Sequence, residues 1–558
     1  MSTILTLHDP ATARQYYAAG VWQADTLYSL LARHAAVRPG AFALRDGALR
    51  LSWARLLRWV DAVAGELHAA GLRRGDRVSV WLPNRAETVV VLLACARNGY
   101  VCNPSLHRSY AAPEIAELIA GIQAASLIAQ PGYGAPSPGP DIFAAAQAVP
   151  SLRRVYRVAP RGGADAAEGT AHPFPGPDAA APQPPPPDDN PDKVVYLAFT
   201  SGTTGAPKGV LHSDNTLLAN GRAMVADWGH DPRTILLSLS PLSHHIATVA
   251  VEQMLVAGLE LVTNDPPDGM SALDWLIETG ATYVMGVPTH AMDMLEAMRR
   301  RGLARLGAVK IFYMAGAPIP RETAQAFLDL GITPQNIYGM TENGSHQYTL
   351  PTDDARTIVE TCGRAGLGYE VRIFKAEDPD TEAAPGEVGE IGGRGGMLTL
   401  GYFGNQAATE ASFNRHGWFM SGDLGRLDEN GCLEILGRKK ELIIRGGHNV
   451  YPARIEDLAL RHPGVARVAA FAVPDRRLGE KVCLAIVPRD GAAPAPMAVL
   501  AHLRAEGLSI YDMPEYFVAL DEFPLTASGK VLKRALVEWA RTERIRLMPV
   551  QWSEKRGA

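Results

Sequence analysis

Residues 194–209 read Val-Val-Tyr-Leu-Ala-Phe-Thr-Ser-Gly-Thr-Thr-Gly-Ala-Pro-Lys-Gly. A run of β-branched and aromatic residues breaks into glycines and small hydroxyl residues, and the segment closes on Lys208. The apolar run predicts a buried strand. In the loop Thr200, Ser201, Gly202, Thr203, Thr204 and Gly205, the glycines let backbone amides approach a ligand and the hydroxyls add donors. Such a loop makes a nest suited to phosphate oxygens. It is not the common P-loop, which needs Gly before the Lys and Ser or Thr after it; here Pro207 precedes Lys208 and Gly209 follows. A phosphate loop of another type is expected. The bland alternative, a flexible surface turn, rarely follows a buried strand so directly.

Outward from this stretch, residues 76–129 alternate: a strand at 76–82, a helix at 87–98 closed by Gly99, a helix at 112–121 and a strand at 126–129. The rhythm resumes with strands at 282–287, 309–314 and 336–338 and helices at 270–278 and 321–330. This predicts an α/β protein with parallel sheets and helices on their faces. From about residue 363 the texture becomes β-rich with many glycines, and from about 440 short strands and helices suggest a separate α+β unit. Residues 131–192 are rich in Pro, Gly, Ala and Asp, with four prolines in a row at 184–187. They read as an extended surface insertion, partly disordered and without chemistry.

At 558 residues the chain exceeds a single core. A net charge of −5 leaves no basic excess for nucleic acid. The five cysteines are odd in number and scattered, which supports neither a disulfide framework nor a zinc site and fits a reducing cytoplasm. The opening residues lack the basic region and long apolar stretch of a secretory leader, and no apolar run is long enough to span a membrane.

Five further clusters carry chemistry, each with a plain structural alternative. Tyr338-Gly339-Met340-Thr341-Glu342 puts a hydroxyl beside a carboxylate after a strand, which suits a Mg²⁺-phosphate site or simply a packed strand end. Small residues at 314–320 let a flat ligand lie against backbone, or form an ordinary turn into a helix. The glycine turn before Asp423 could present it to a ribose diol, or be an Asx-turn. The basic run from Gly437 to Lys440, with Gly446 and Gly447 beyond it, could be a hinge or a basic turn between strands. The Ser-Gly turn before Lys530 could present a point charge to a neighbouring site, although a surface lysine is the default.

Taken in order, the hydroxyl and glycine loop, Tyr-Gly-x-Thr-Glu, Gly-Trp-x-x-x-Gly-Asp, Gly-Arg-x-Lys and a C-terminal Gly-Lys resemble the adenylate-forming superfamily of acyl-CoA synthetases, peptide-synthetase adenylation domains and luciferases, over about residues 26–540. The resemblance implies a large N-terminal domain, 1–439, with two doubly wound α/β subdomains and a small distorted β-barrel, then a mobile C-terminal domain, 440–558. It implies ATP, Mg²⁺ and coenzyme A as co-substrates and cofactor. By motif, Thr200 to Lys208 would hold the β- and γ-phosphates, Glu342 the Mg²⁺ and Thr341 the α-phosphate. Tyr338 would stack on adenine opposite Gly316, Ala317 and Pro318, with Asn336, Gly339 and Met340 around the nucleotide. Asp423 would bind the ribose with Arg438 behind it, and Lys530 would be the catalytic lysine. Lys440 falls at the hinge, where many members carry Asp and others Lys. Gly446 and Gly447 fall near the thiol tunnel.

The acyl pocket is expected at Ser243, His244, His245, Val287, Gly339, Asn343, Gly344 and Ser345, with His244 matching a histidine common in the family. No acid is placed to meet an amino-acid ammonium group, since helix periodicity does not aim Glu252 at the pocket. The segment from Arg445 to Pro452 is most like acyl-CoA synthetases, and too little chain follows Lys530 for a carrier domain. The reading is an AMP-forming carboxylate–CoA ligase, similar to ligases of cyclohexanecarboxylate and related alicyclic, aromatic or medium-chain acids. A stand-alone aryl-acid adenylating enzyme that loads a carrier protein and an inactive nucleotide- or acyl-binding homologue are the alternatives, and a monomer and a homodimer both remain open.

Overall fold

The buried strand expected after Lys193 is Val194–Thr200, and it pairs antiparallel with Lys208–Ser213, the last rung joining Thr200 to Lys208. The computed structural model describes residues 4–162, 171–200, 207–317, 319–489, 491–525 and 530–552. Residues 201–206, the centre of the expected phosphate loop, lie outside these, as does Pro318.

The chain divides into two units, Met1–Glu370 with Arg394–Phe413, and Val371–Gly393 with Asn414–Ala558. The first holds two sheets. In one, Arg77–Trp81 runs parallel to Val101–Asn103 and Ala124–Ala129, and Val101–Asn103 leads to the hairpin. In the other, Tyr283–Gly286, Ile311–Met314 and Thr333–Met340 are parallel neighbours. The expected helix at 87–98 is Ala86–Asn98, with every residue buried. A helix apolar on all sides belongs inside a core. It ends at Gly99, whose φ of +72° suits glycine and lets its N–H reach the Cys95 carbonyl. The helices Asp214–Trp228 and His245–Ala257 contribute to the same core.

The second unit carries an antiparallel ladder of Gly389–Gly395, Phe419–Leu427 and Leu433–Arg438. Its other sheet is centred on Val465–Asp475, Gly479–Pro488 and Tyr516–Ala519, with the helices Pro452–Leu460, Pro496–Ala505 and Lys533–Arg541.

One expectation is corrected. Within 131–192, residues 142–158 include a sheet strand and buried side chains, while 171–187 run along the surface as expected, with no buried residue among them. Arg154–Arg157 extends the first sheet in parallel beside Ala124–Ala129, with Tyr156 and Val158 buried. The proline-rich segment is fixed through its carbonyls, which proline keeps although it lacks an N–H. Trp59 Nε1 donates to the Pro175 carbonyl at 2.7 Å and Arg97 Nη1 to that of Pro185 at 2.6 Å. Buried Asp188 takes Arg74 Nε at 2.6 Å. Composition suggested partial disorder because it does not register hydrogen bonds made by carbonyls alone.

Gly65 reports on this packing. Alanine at an exposed helix interior is better than glycine by about 0.5–1 kcal/mol. Here a Cβ would lie 1.9 Å from the Pro182 carbonyl oxygen. Gly65→Ala should therefore destabilise the protein and speed proteolysis within 175–188; higher stability by denaturant unfolding would show that the strap is loose.

Several imidazoles are buried in the first unit. Desolvation pulls His107 and His212 to about 4 and His346 to about 3, from an ordinary 6.5. Between these values and 6.5 the unfolded chain binds more protons, so stability is present above 6.5 and is lost as pH falls through that window. Unfolding midpoints between pH 7 and 5 should fall on acidification, by up to about 1.4 kcal/mol per pH unit for each imidazole. His346→Gln should flatten the slope, and an unchanged slope would contradict burial of this ring.

Candidate active site

Three parallel strands end at one height. Gly286 lies opposite Met314, and Met314 opposite Asn336. Val287, Gly316 with Ala317, and Tyr338 to Thr341 therefore emerge side by side at the carboxyl edge, where open α/β sheets bind ligands. A Cβ at Gly316 would sit 3.6 Å from Val287 Cγ1 and 3.8 Å from Ile246 Cδ1, so these three residues form one surface. Tyr338 is buried, with His346 edge-on at 5.2 Å, and His346 leans on Tyr369 at 4.4 Å.

The turn after Tyr338 is held tightly. Gly344 has φ +62°, and a Cβ there would meet Asn220 Oδ1 at 2.6 Å, so only glycine fits. Gly339 would bring a Cβ within 1.8 Å of the Gly344 carbonyl oxygen. Asn343 Oδ1 accepts the Met340 N–H at 3.1 Å, and the Ser345 hydroxyl bonds Tyr313 at 2.7 Å. The polar atoms of Asn343 and Ser345, expected in the acyl pocket, thus hold the turn that carries Glu342. Asn336 likewise donates to the Thr361 carbonyl at 2.8 Å, which fastens a neighbouring loop.

The hairpin meets this turn through two side chains. His212 Nε2 bonds the Thr341 carbonyl at 2.7 Å, which makes Nε2 the protonated nitrogen of a neutral ring. Lys208 Nζ lies 4.5 Å from the centre of the Tyr402 ring, and the Tyr402 hydroxyl donates to Glu342 Oε1 at 2.9 Å. Glu342 is buried, and among the described residues no group of three His, Cys, Asp or Glu could hold a metal. One carboxylate completed by substrate phosphates suits Mg²⁺, which keeps few protein ligands.

Three of the expected acyl residues, Ser243, His244 and His245, lie at the start of the helix His245–Ala257, while Val287 and residues 339–345 lie at the strand ends. His244 is its N-cap residue and lies against His107, ring centres 4.5 Å apart, while His107 Nδ1 bonds Ser243 Oγ at 3.0 Å. His245 stacks on His212 at 5.4 Å, and its Nδ1 is 3.3 Å from the Tyr196 hydroxyl, which Thr248 also reaches at 3.2 Å. The two histidines therefore face different neighbours. Burial holds His245 neutral, its pKa pushed well below the ordinary value. Burial also pushes Glu252 well above its ordinary value, and neither of its oxygens has a hydrogen-bond partner among the described residues. Burial thus disfavours the charged form of Glu252 that an ammonium group would need.

In the second unit Asp423 and Arg438 are opposed on neighbouring strands, with Arg438 Nε 3.4 Å from Asp423 Oδ1. The electrostatic surroundings of Lys530 include both, together with Glu441. Desolvation lowers its pKa, Arg438 acts in the same sense, and Asp423 and Glu441 oppose them. Taken over the whole residue, Lys530 is exposed to solvent. Lys440 is exposed in the short 3-10 turn Lys439–Glu441. Gly446 and Gly447, with φ +59° and +86°, form the tight turn between Ile443–Arg445 and His448–Val450.

Sequence reasoning missed His107, Tyr196, His212, Glu390 and Tyr402. Glu390 holds the Asp423 turn through the Gly422 N–H at 3.1 Å and pairs with Lys439 at 2.7 Å. Strand alternation from Lys208 through Val210 to His212 was a usable signal for His212. Nothing in sequence position marked Tyr402.

The sequence pattern described as "AMP-binding enzyme" matches residues 31–403, and that of the "AMP-binding enzyme C-terminal domain" matches 454–530. A feruloyl-CoA synthase of Amycolatopsis sp is 34% identical, covering 90% of this chain and 96% of its own. The medium-chain fatty-acid–CoA ligase of Escherichia coli K12 is 28% identical, covering 96% and 93%. The solved structure of ATP-bound MatB from Rhodopseudomonas palustris superposes with a TM-score of 0.78 at 29% identity, covering 93% of this chain and all of that one. With its motifs in family order and its strand ends in this arrangement, the chain belongs to the AMP-binding enzyme family of adenylate-forming ligases.

Proposed function

We propose that this protein is an AMP-forming carboxylate–CoA ligase whose acid is aromatic and carries a hydrogen-bonding substituent. Support comes first from the polar groups at the start of the helix His245–Ala257. His245, Tyr196 and Thr248 form a hydrogen-bonded group at the start of that helix. A polar substituent on the acid finds hydrogen-bonding partners in such a group, which an aliphatic tail would leave unused. The feruloyl relative, which activates a hydroxylated aromatic acid by its name, points the same way. Neutral His107, His212 and His245 offer no cation for a second carboxylate, so a monocarboxylic acid is favoured.

The chemistry begins with a poor electrophile. A carboxylate repels nucleophiles until one oxygen attacks the ATP α-phosphorus, giving an acyl-adenylate and releasing pyrophosphate. Negative charge develops on phosphate oxygens during that displacement, and positioned cations lower its cost. Tyr338 orients the adenine, the Thr341 segment held by His212 faces the α-phosphate, and Lys208 steadies the leaving group. Glu342 would hold Mg²⁺, which would supply charge neutralisation when bound. Lys530 is the mobile cation of this half-reaction. Lys440 is the pivot about which it leaves, so that the CoA thiol can attack the acyl carbon and expel AMP. The five cysteines are free thiols, which suits a reducing cytoplasm. Among the described residues no helix is long and apolar enough to cross a membrane.

Acid-dependent pyrophosphate exchange with hydroxylated benzoic and cinnamic acids, cyclohexanecarboxylate and medium-chain acids tests the reading. The hydroxylated aromatics should give the highest kcat/KM, and preference for aliphatic acids would overturn the substrate class. Thioester formation with free CoA separates a ligase from an enzyme that loads a carrier protein. Lys530→Ala should lose about 100- to 1,000-fold in exchange while still converting supplied acyl-adenylate to thioester. Equal loss in both halves would contradict its assignment to the first.

A further inference from the structure

Lys208 and Glu342 carry opposite charges on adjoining segments of the first unit, and Tyr402 touches both. Its ring faces Lys208 Nζ at 4.5 Å and its hydroxyl donates to Glu342 Oε1 at 2.9 Å. The backbone around it is fixed to the same two segments. Phe403 N–H bonds the Gly209 carbonyl at 2.7 Å, Leu211 N–H bonds that of Gly401 at 3.0 Å, and Thr399 N–H bonds that of Glu342 at 2.6 Å. The Tyr402 N–H is taken by Thr409 Oγ1 at 3.0 Å. The ring is therefore clamped, and only 7% of the residue is exposed.

Without that ring, a flexible lysine beside a buried carboxylate would fold onto it, since ion pairing in a desolvated site is strong. Each charge would then be quenched for a ligand. We propose that Tyr402 is a positioning residue that keeps Lys208 and Glu342 from pairing with each other, leaving the ammonium for phosphate oxygens and the carboxylate for Mg²⁺. The proposal rests on the reading above that Lys208 meets phosphate and Glu342 the metal.

Calorimetric ATP binding to the full chain, with and without Mg²⁺, tests it. The readout is the tightening of ATP binding that Mg²⁺ produces. Tyr402→Phe keeps the ring and should reduce that tightening about tenfold through loss of one hydrogen bond to a charged group, with metal-free ATP binding unchanged. Tyr402→Leu removes the spacer, and should reduce the tightening further while also weakening metal-free ATP binding. Adding Lys208→Gln to Tyr402→Leu should return the Mg²⁺ effect to the Tyr402→Phe level, because no lysine remains to occupy the carboxylate. A merely structural tyrosine would show no such rescue. Wild-type tightening in both Tyr402 variants, or a double variant no better than Tyr402→Leu, overturns the proposal. Glu342→Gln is the separating control. If it leaves the Mg²⁺ effect intact, the metal assignment itself falls and this proposal with it; if it abolishes the effect while the Tyr402 variants do not move it, the spacer role alone falls.

Discussion

The parallel register of Tyr283–Gly286, Ile311–Met314 and Thr333–Met340 is the constraint on which the site depends. Parallel pairing sends every strand out at the same edge, so residues far apart in sequence leave their ladders together. A slip of one residue at Met314 and Asn336 would reverse the faces of Tyr338 and its neighbours and move Thr341 off the His212 nitrogen. The glycines at 339 and 344 follow from this geometry. Once the strand ends there, the chain must turn sharply against Asn220, and a side chain would not fit.

Desolvation then sets the chemistry. The site borders on neutral imidazoles, a desolvated Glu252 and protonated tyrosines, all kept so by burial. Within the first unit, Lys208 and Glu342 are the charged groups that Tyr402 links. A small set of charges in a low-dielectric surround acts more strongly than many in water.

Much of this was legible in the sequence. Hydrophobic runs broken by glycine located the strands and helices around Gly99 and Met314, because periodicity and capping are local properties. The motifs located Glu342, Asp423 and Lys530, because charge and loop chemistry are written in neighbouring residues. The strap from 175 to 188 was not legible, since its order comes from Trp59, Arg74 and Arg97, distant donors that composition does not reveal. Tyr402 was hidden for the same reason: its ring matters through Lys208 and Glu342, neither close in sequence. His244 and His245, adjacent in the chain, were indistinguishable until one met His107 and the other His212.

The sheet that carries the hairpin also ends in an unusual way. Its outermost strand on one side is the two-residue His172–Pro173, and a proline there has no donor to offer an incoming chain. On the opposite side Lys208–Ser213 has its free edge taken by Gly401 and Phe403. A long, Val-rich parallel sheet would ordinarily recruit further strands from other molecules. Here one border is closed by the protein's own backbone and the other ends on a short strand whose proline offers no donor, so neither edge of this sheet presents a full ladder to another chain.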